Sequence, residues 1–263
     1  MSDRNRLPGS GVTRRQFGVV AGASLISWIG ATACELGRTL TNAEQGRLSL
    51  PTPVRLSDPV LKGTSRLGLT EGRDAILKLP DPLPAKPMAM MVLFHGATGS
   101  AEKFLGRLSA ATVPADLAVL AIDSRGVTWD AIRGGFGPDV AFTQQALSHV
   151  LRHVPIDRDR LSLGGFSDGA TYALSLGLIN GDVFKKVVAF SAGFVVDGPM
   201  HGHASFFVSH GTHDSILPID DCGRRIVKAL KLRNYDVTFR EFDGDHEVPP
   251  AIATEAFRWA ATR

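Results

Sequence analysis

A serine, an aspartate and a histidine occur in this order along the chain, each in a short motif that contains glycine. Ser167 lies in GGFSDG (164–169), Asp214 ends HGTHD (210–214) and His246 lies in DGDHE (243–247). A serine hydroxyl is a poor nucleophile at neutral pH, so it needs an imidazole to take its proton and a carboxylate to orient that imidazole. The three residue types together therefore indicate nucleophilic catalysis by Ser167.

The surroundings of Ser167 indicate a sharp turn between a strand and a helix. An apolar run, 161–166, precedes it, and a helix-like segment follows. In a nucleophile elbow of this kind the serine has a strained backbone, and glycines two residues away on either side avoid collisions with the neighbouring elements. The short pattern alone also fits a glycine-rich turn with an incidental serine. The catalytic interpretation therefore depends on whether an aspartate and a histidine lie near Ser167.

Strand-like and helix-like segments alternate through most of the chain. The predicted strands are 74–79, 89–94, 117–122, 161–166, 186–190, 205–209 and 236–242. The predicted helices are 101–111, 138–153, 169–178, 218–232 and 250–261. Several strands are continuous apolar runs, as expected where helices cover both faces of a parallel sheet. The pattern predicts an α/β fold with a mostly parallel, doubly covered sheet.

The three candidate residues each follow a predicted strand. Ligands of such sheets bind beyond the carboxyl ends of the strands, so Ser167, Asp214 and His246 are expected to meet at one edge. The chemistry also needs two main-chain N–H groups for the developing oxyanion. Asp168 is expected to supply one through its backbone, and Ala97, in the loop HGATG after a strand, the other.

Other polar residues have simpler interpretations. Asp220 and Asp221 are alternative acids but lie within a predicted helix, whereas Asp243 and Asp245 lie close to His246 in sequence. Asp214 is preferred because it follows the preceding strand.

The remaining histidines are not expected to be catalytic. His95 and His210 precede glycines at strand ends and are expected to be structural hydrogen-bonding groups. His201, His203 and His213 lack an evident further ligand. We therefore expect no metal and no cofactor.

The motifs LFHGATG, GGFSDGA, SHGTHDSILPI and GDHEVPP resemble those of the phospholipase and carboxylesterase branch of α/β-hydrolase serine esterases, over about residues 73–263. A looser similarity is to secreted polyhydroxybutyrate depolymerases and feruloyl-type esterases. The resemblance implies Ser167 as nucleophile, Asp214 as acid, His246 as base, and Ala97 and Asp168 as the oxyanion hole. Asp168 stands where the carboxylesterase branch often has glutamine, so substrate preference does not transfer. Ester hydrolysis is the leading expectation, with thioester or peptide hydrolysis and a non-catalytic binding lipoprotein as alternatives.

The substrate side of the site is less clearly marked. The connection 191–204 is too short for a large helical cap, which predicts an open groove for a small or polymeric ester. Trp129, Phe136 and Phe194 follow strands at the same edge and are predicted to line an acyl or aromatic pocket. Packing of loops onto the core is the alternative role of these aromatic residues.

The first 33 residues have the pattern of an export signal. Arg14 and Arg15 form a twin-arginine pair, and an uncharged segment rich in small residues follows to Ala33. This predicts use of the twin-arginine export machinery and a periplasmic or secreted protein. The residues before Cys34 fit both ordinary signal cleavage and a lipobox, so lipid anchoring at Cys34 and a free mature protein both remain open.

The rest of the chain is predicted to be a flexible tether, 34–62, followed by one α/β-hydrolase catalytic domain, 63–263. The whole chain has a formal net charge of +3, but the signal segment carries four arginines and one aspartate. The remaining chain is thus neutral overall, which gives no support for nucleic-acid binding. Two cysteines, Cys34 and Cys222, are too few for a disulfide framework.

Overall fold

The strands of the chain form one sheet in the computed structural model, which describes residues 40–53, 56 and 61–263. The strands are β1 Thr64–Arg66, β2 Ala75–Lys78, β3 Met88–Phe94, β4 Leu117–Ile122, β5 Ile156–Phe166, β6 Lys186–Phe190, β7 Ser205–Gly211 and β8 Val237–Phe242. Their order in the sheet is β1-β2-β4-β3-β5-β6-β7-β8. Strands β3 to β8 run parallel, and β1 and β2 pair antiparallel at one edge. The predicted α/β fold with a mostly parallel sheet is confirmed.

Helices cover both faces of this sheet. They are α1 Ala101–Arg107, α2 Pro138–His153, α3 Asp168–Ile179, α4 Arg225–Leu232 and α5 Pro250–Ala261. One apolar core packs α2, α3 and α4 against one face, and a second packs α1 and α5 against the other. Residues 191–204, between β6 and β7, contain no helix, so no helical cap is inserted there.

Differences from the predicted elements occur where the apolar signal is weak. Strand β1 has the sequence TSR and is largely exposed, so no apolar pattern marks it. The predicted helix 218–232 begins instead with a π-helical turn, Asp220–Arg224, before α4. Helix α1 ends at Arg107, several residues earlier than expected.

Part of the predicted tether packs against the domain. Leu48 is buried, and its N–H donates to the side-chain oxygen of Asn180 at 2.8 Å. Arg47 forms an ion pair with Asp182 at 2.8 Å. These contacts hold the segment around Leu48 in place, where the sequence analysis expected a flexible connection.

The predicted signal segment 1–33 and Cys34 lie outside the described residues. In the part of the chain that is described, no helix has the length and apolar character needed to cross a membrane.

Candidate active site

Ser167 lies at the turn between β5 and α3, in a backbone conformation that non-glycine residues rarely adopt. Its φ and ψ are 56° and −120°. A Cβ atom at Gly165 would lie 2.2 Å from the Gly169 oxygen, and one at Gly169 would lie 2.0 Å from the Phe94 oxygen. Only glycine fits at either position, which explains the spacing seen in the sequence. The strained turn is thus enforced by close backbone packing on both sides.

A chain of hydrogen bonds joins the three candidate catalytic residues. His246 Nε2 lies 2.9 Å from Ser167 Oγ, and His246 Nδ1 lies 2.7 Å from Asp214 Oδ2. The residues come from the loops after β5, β7 and β8, at the carboxyl edge of the sheet. The structure therefore brings together the serine, aspartate and histidine that the sequence analysis selected.

Asp214 is held by more than its contact with His246. Its side chain is fully buried. Oδ1 accepts the main-chain N–H groups of Ile216 at 3.0 Å and Leu217 at 2.7 Å. Oδ2, the oxygen facing His246, also lies 3.2 Å from Nε2 of His210. These donors fix the carboxylate orientation and compensate for its burial.

His210 lies beside the carboxylate of Asp214 and is held by a hydrogen bond of its own. Its Nε2–H donates to the Leu217 oxygen at 2.7 Å, and that bond assigns the proton to Nε2. Burial lowers the pKa of His210, so the ring is neutral. Among the described residues its Nδ1 has no hydrogen-bond partner. His210 therefore acts as a structural donor, and among the described residues it forms no hydrogen bond with Ser167 or His246.

The alternative acids have other partners. Asp245 accepts hydrogen bonds from the N–H and hydroxyl of Ser215 and from the N–H of His246. Asp243 pairs with His213 at the surface, and Asp220 pairs with Arg224. None of these carboxylates contacts the His246 ring, whereas Asp214 does.

The loop after β3 has main-chain N–H groups available beside Ser167. Ala97 N–H makes no hydrogen bond within the described part of the chain, while Thr98 N–H donates to the Val127 oxygen at 2.7 Å. Asp168 is the first residue of α3, where an N–H has no intrahelical acceptor. The Asp168 carboxylate accepts the Thr128 hydroxyl. This arrangement leaves the two N–H groups predicted for the oxyanion hole free to donate.

His95 fixes the shape of this loop. Its Nδ1–H donates to the Gly96 oxygen at 2.7 Å. Its Nε2 accepts from Arg73 at 3.0 Å and from the N–H of Ser124 at 3.1 Å. The pKa of His95 is lowered chiefly by burial, which keeps the ring neutral and able to accept both bonds.

A cavity of about 420 Å³ opens beside Ser167 and His246. It is lined on one side by the loop 95–100 and on the other by side chains of α1, the elbow and the loop after β7. These side chains are Lys103, Phe104, Arg107, Phe166 and Ile216. The sequence analysis did not identify them, although the position of α1 directly after the loop 95–100 placed that helix beside the site.

The predicted pocket aromatics do not line this cavity. Trp129 is fully buried, stacks on Tyr172 and donates its indole N–H to the His95 oxygen at 2.8 Å. Its prediction as a substrate-binding residue is wrong, because an indole buried beneath the loop cannot reach a ligand. Phe136 packs against Tyr172 and the core, and Phe194 is exposed in the connection between β6 and β7, outside the cavity lining.

In the part of the chain that the structure describes, no group of three or more His, Cys, Asp or Glu side chains is arranged to hold a metal ion.

Comparison with known proteins supports an esterase. Residues 140–256, which include Ser167, Asp214 and His246, match the phospholipase/carboxylesterase family of α/β-hydrolases. No curated protein matches the sequence.

Solved structures share the fold at low sequence identity. A Bacillus cereus carboxylesterase is 20% identical, with a TM-score of 0.55, covering 73% of this chain and 94% of its own. The fluorophosphonate-binding serine hydrolase F of Staphylococcus aureus is 17% identical, with a TM-score of 0.57; the match covers 77% of this chain and 100% of the hydrolase. A ferulic acid esterase from Anaeromyces mucronatus is 17% identical, with a TM-score of 0.53; the match covers 82% of this chain and 97% of the esterase. The chain thus has the α/β-hydrolase fold, and the family match supports an esterase enzyme.

Proposed function

We propose that this protein is an exported serine hydrolase that cleaves carboxylic esters through an acyl-enzyme formed on Ser167. The observation that carries the proposal is the continuous hydrogen-bond chain from Ser167 through His246 to Asp214, with distances of 2.9 Å and 2.7 Å, at the mouth of a cavity. The family match and the fold of the carboxylesterase and ferulic acid esterase neighbours agree with this chemistry.

The first half of the reaction forms the acyl-enzyme. Because Asp214 accepts the Nδ1–H of His246, the neutral imidazole has its lone pair on Nε2, facing the Ser167 hydroxyl. As Ser167 Oγ attacks the ester carbonyl, Nε2 takes the hydroxyl proton and Asp214 stabilises the imidazolium. The N–H groups of Ala97 and Asp168 stabilise the oxyanion of the tetrahedral intermediate.

The second half releases the acid. His246 gives its proton to the leaving alcohol oxygen as the carbonyl re-forms, which leaves the acyl group on Ser167. A water molecule then loses a proton to Nε2 and attacks the acyl carbonyl, and the return of that proton to Ser167 Oγ regenerates the hydroxyl. Protons and bonds balance without a cofactor.

An ester panel tests the activity. The wild type is expected to hydrolyse p-nitrophenyl esters, and Ser167→Ala is expected to lose at least about 10³-fold in kcat. Ser109→Ala, which changes an exposed serine outside the site, is the matched control. Equal rates in Ser167→Ala and the wild type would refute the proposal. Thioester and peptide substrates in the same panel distinguish esterase from thioesterase and peptidase activity.

Export is the second part of the proposal and depends on the sequence alone. Arg14→Lys/Arg15→Lys is expected to retain the protein in the cytoplasm, whereas the control Arg4→Lys/Arg6→Lys is expected to leave export intact. Cell fractionation measures both. Mass spectrometry of the mature N-terminus distinguishes a diacylated Cys34 from plain signal cleavage, since only the first gives a membrane-tethered protein.

A further inference from the structure

The charges that line the active-site cavity are all positive. Lys103 and Arg107 lie one turn apart on α1 and both contribute to the cavity wall, whereas no Asp or Glu does. In the described part of the chain neither cation has an ion-pair partner. The acidic residue of the same helix, Glu102, is already paired with Arg66 at 2.8 Å.

Arg107 is held close to the reacting groups. Its guanidinium lies 4.6 Å from the centre of the Phe166 ring, over its face. The same Phe166 ring contacts the His246 ring, with centres 4.7 Å apart. The Phe166 ring therefore contacts both the Arg107 guanidinium and the His246 ring, and the Arg107 side chain also lines the cavity.

Among the described residues, no carboxylate of the adjoining loops forms an ion pair with Lys103 or Arg107, and those carboxylates have other hydrogen-bond partners. Asp123 is buried and accepts the N–H of Ala101. Asp168 accepts the Thr128 hydroxyl, and Asp245 is bonded to Ser215. The apolar wall is supplied by Phe104, Phe166 and Ile216.

We infer that the enzyme selects esters that carry an anionic group, a carboxylate or a phosphate, which Lys103 and Arg107 bind beside the scissile bond. The inference rests on the proposed esterase function and specifies its substrate class. The anion can belong to the acyl half or to the alcohol half of the ester. The contact of Phe166 with His246 favours the alcohol half, because His246 must reach the leaving oxygen.

Two pairs of chromogenic esters test the inference. In the alcohol arm, the butyrate of a ring-carboxylated p-nitrophenol is compared with the butyrate of its methyl ester. In the acyl arm, mono-p-nitrophenyl adipate is compared with its methyl ester. The measured quantity is the ratio of kcat/KM for the charged ester to that for its neutral partner, with kcat and KM resolved.

The wild type is expected to prefer the charged ester by about 5-fold or more in at least one arm at low ionic strength, mainly through KM. Added salt at about 0.5 M is expected to reduce this preference, because exposed charges are screened. Lys103→Gln/Arg107→Gln is expected to lose it, and the charge-conserving Lys103→Arg/Arg107→Lys to restore most of it. The arm that shows the preference identifies which half of the substrate carries the anion.

The matched control is Lys228→Gln/Lys231→Gln, which removes the same charge from α4, away from the cavity. It is expected to keep the wild-type ratio. If the wild type hydrolyses the neutral esters without preferring a charged one in either arm, or if the α1 double variant keeps the preference, the inference is overturned and the esterase proposal stands. If the folded protein hydrolyses none of the esters and Ser167 does not react with an organophosphonate, the esterase proposal fails and the inference fails with it.

Discussion

Replacement of Asp214 by asparagine tests how the site controls the proton of His246. In the structure Oδ1 accepts two main-chain N–H groups, at 3.0 Å and 2.7 Å. An asparagine is expected to keep its oxygen there, since an amide NH₂ in that position would face two donors. The NH₂ group then occupies the place of Oδ2, 2.7 Å from His246 Nδ1.

This change forces the wrong tautomer. An NH₂ donor facing Nδ1 requires Nδ1 to accept, so the ring proton moves to Nε2, which faces Ser167 Oγ and can no longer take its proton. The NH₂ group also faces the Nε2–H of His210, 3.2 Å from the Oδ2 position, so it gains no acceptor on that side. The expected loss in kcat is about 10³- to 10⁴-fold, or about 4 to 5.5 kcal/mol of transition-state stabilisation.

The assay is steady-state hydrolysis of a neutral p-nitrophenyl ester, with thermal unfolding measured on the same samples. KM is expected to change little, because Asp214 does not line the cavity. Asp245→Asn is the matched control: one amide oxygen can keep the bonds to Ser215 and His246, so kcat is expected to fall by less than about 5-fold. A folded Asp214→Asn variant within about tenfold of wild-type kcat would refute the tautomer argument.

Four further changes test the packing of the fold around the site and beyond it. Gly169→Ala is expected to cost about 3 kcal/mol or more of unfolding free energy and to abolish activity, because its Cβ would lie 2.0 Å from a main-chain oxygen of β3. Gly106→Ala, with nothing within 4 Å of its Cβ, is expected to stabilise α1 by about 0.5 kcal/mol. Trp129→Phe is expected to lower stability by about 1 to 3 kcal/mol through the lost indole donor, without altering acyl-length selectivity. Arg47→Gln is expected to cost about 0.2 to 1 kcal/mol at neutral pH. Its hydrogen bonds lower the pKa of Asp182, so this stabilisation is present above the ordinary aspartate pKa of 3.8 and is lost as pH falls through the folded-state pKa.

Denaturant unfolding and the ester panel measure these effects. Wild-type stability in Gly169→Ala would contradict the close packing of the elbow. A changed preference for acyl length in Trp129→Phe would show that the indole contacts the substrate after all. Arg47 also donates to the Ile179 oxygen, and that bond does not depend on the ionisation of Asp182. A difference between Arg47→Gln and the wild type that does not become smaller as the pH falls to about 2 would exclude a contribution from ionised Asp182.

The elements that the sequence located best are those with strong local signals. Strands β4 and β6 are short apolar runs, and α2 and α5 each begin at a proline, which is favoured in the first turn of a helix. Their predicted bounds agree with the structure. Strand β1 was missed, because three largely exposed polar residues pair with an edge strand without any apolar pattern.

The same contrast applies to the site. Ser167, Asp214 and His246 were selectable because each follows a strand within a glycine motif, and the sheet brings those loops together. Trp129 was misassigned because its burial depends on how its loop folds under His95, a contact between distant segments that carries no local signal. Lys103 and Arg107 were overlooked because charged residues on a short helix are typical of a solvated surface. Only the position of the cavity shows that these two line the site.

Covalent labelling tests the central claim most directly. A fluorophosphonate, incubated with the folded full chain, is expected to add once per molecule, and peptide mass spectrometry is expected to place the adduct on Ser167. The label is expected to be lost in Ser167→Ala and to form far more slowly in His246→Ala, because the hydroxyl then has no base. An adduct on another serine, or a folded protein that hydrolyses esters without reacting at Ser167, would contradict the assignment of Ser167 as the nucleophile.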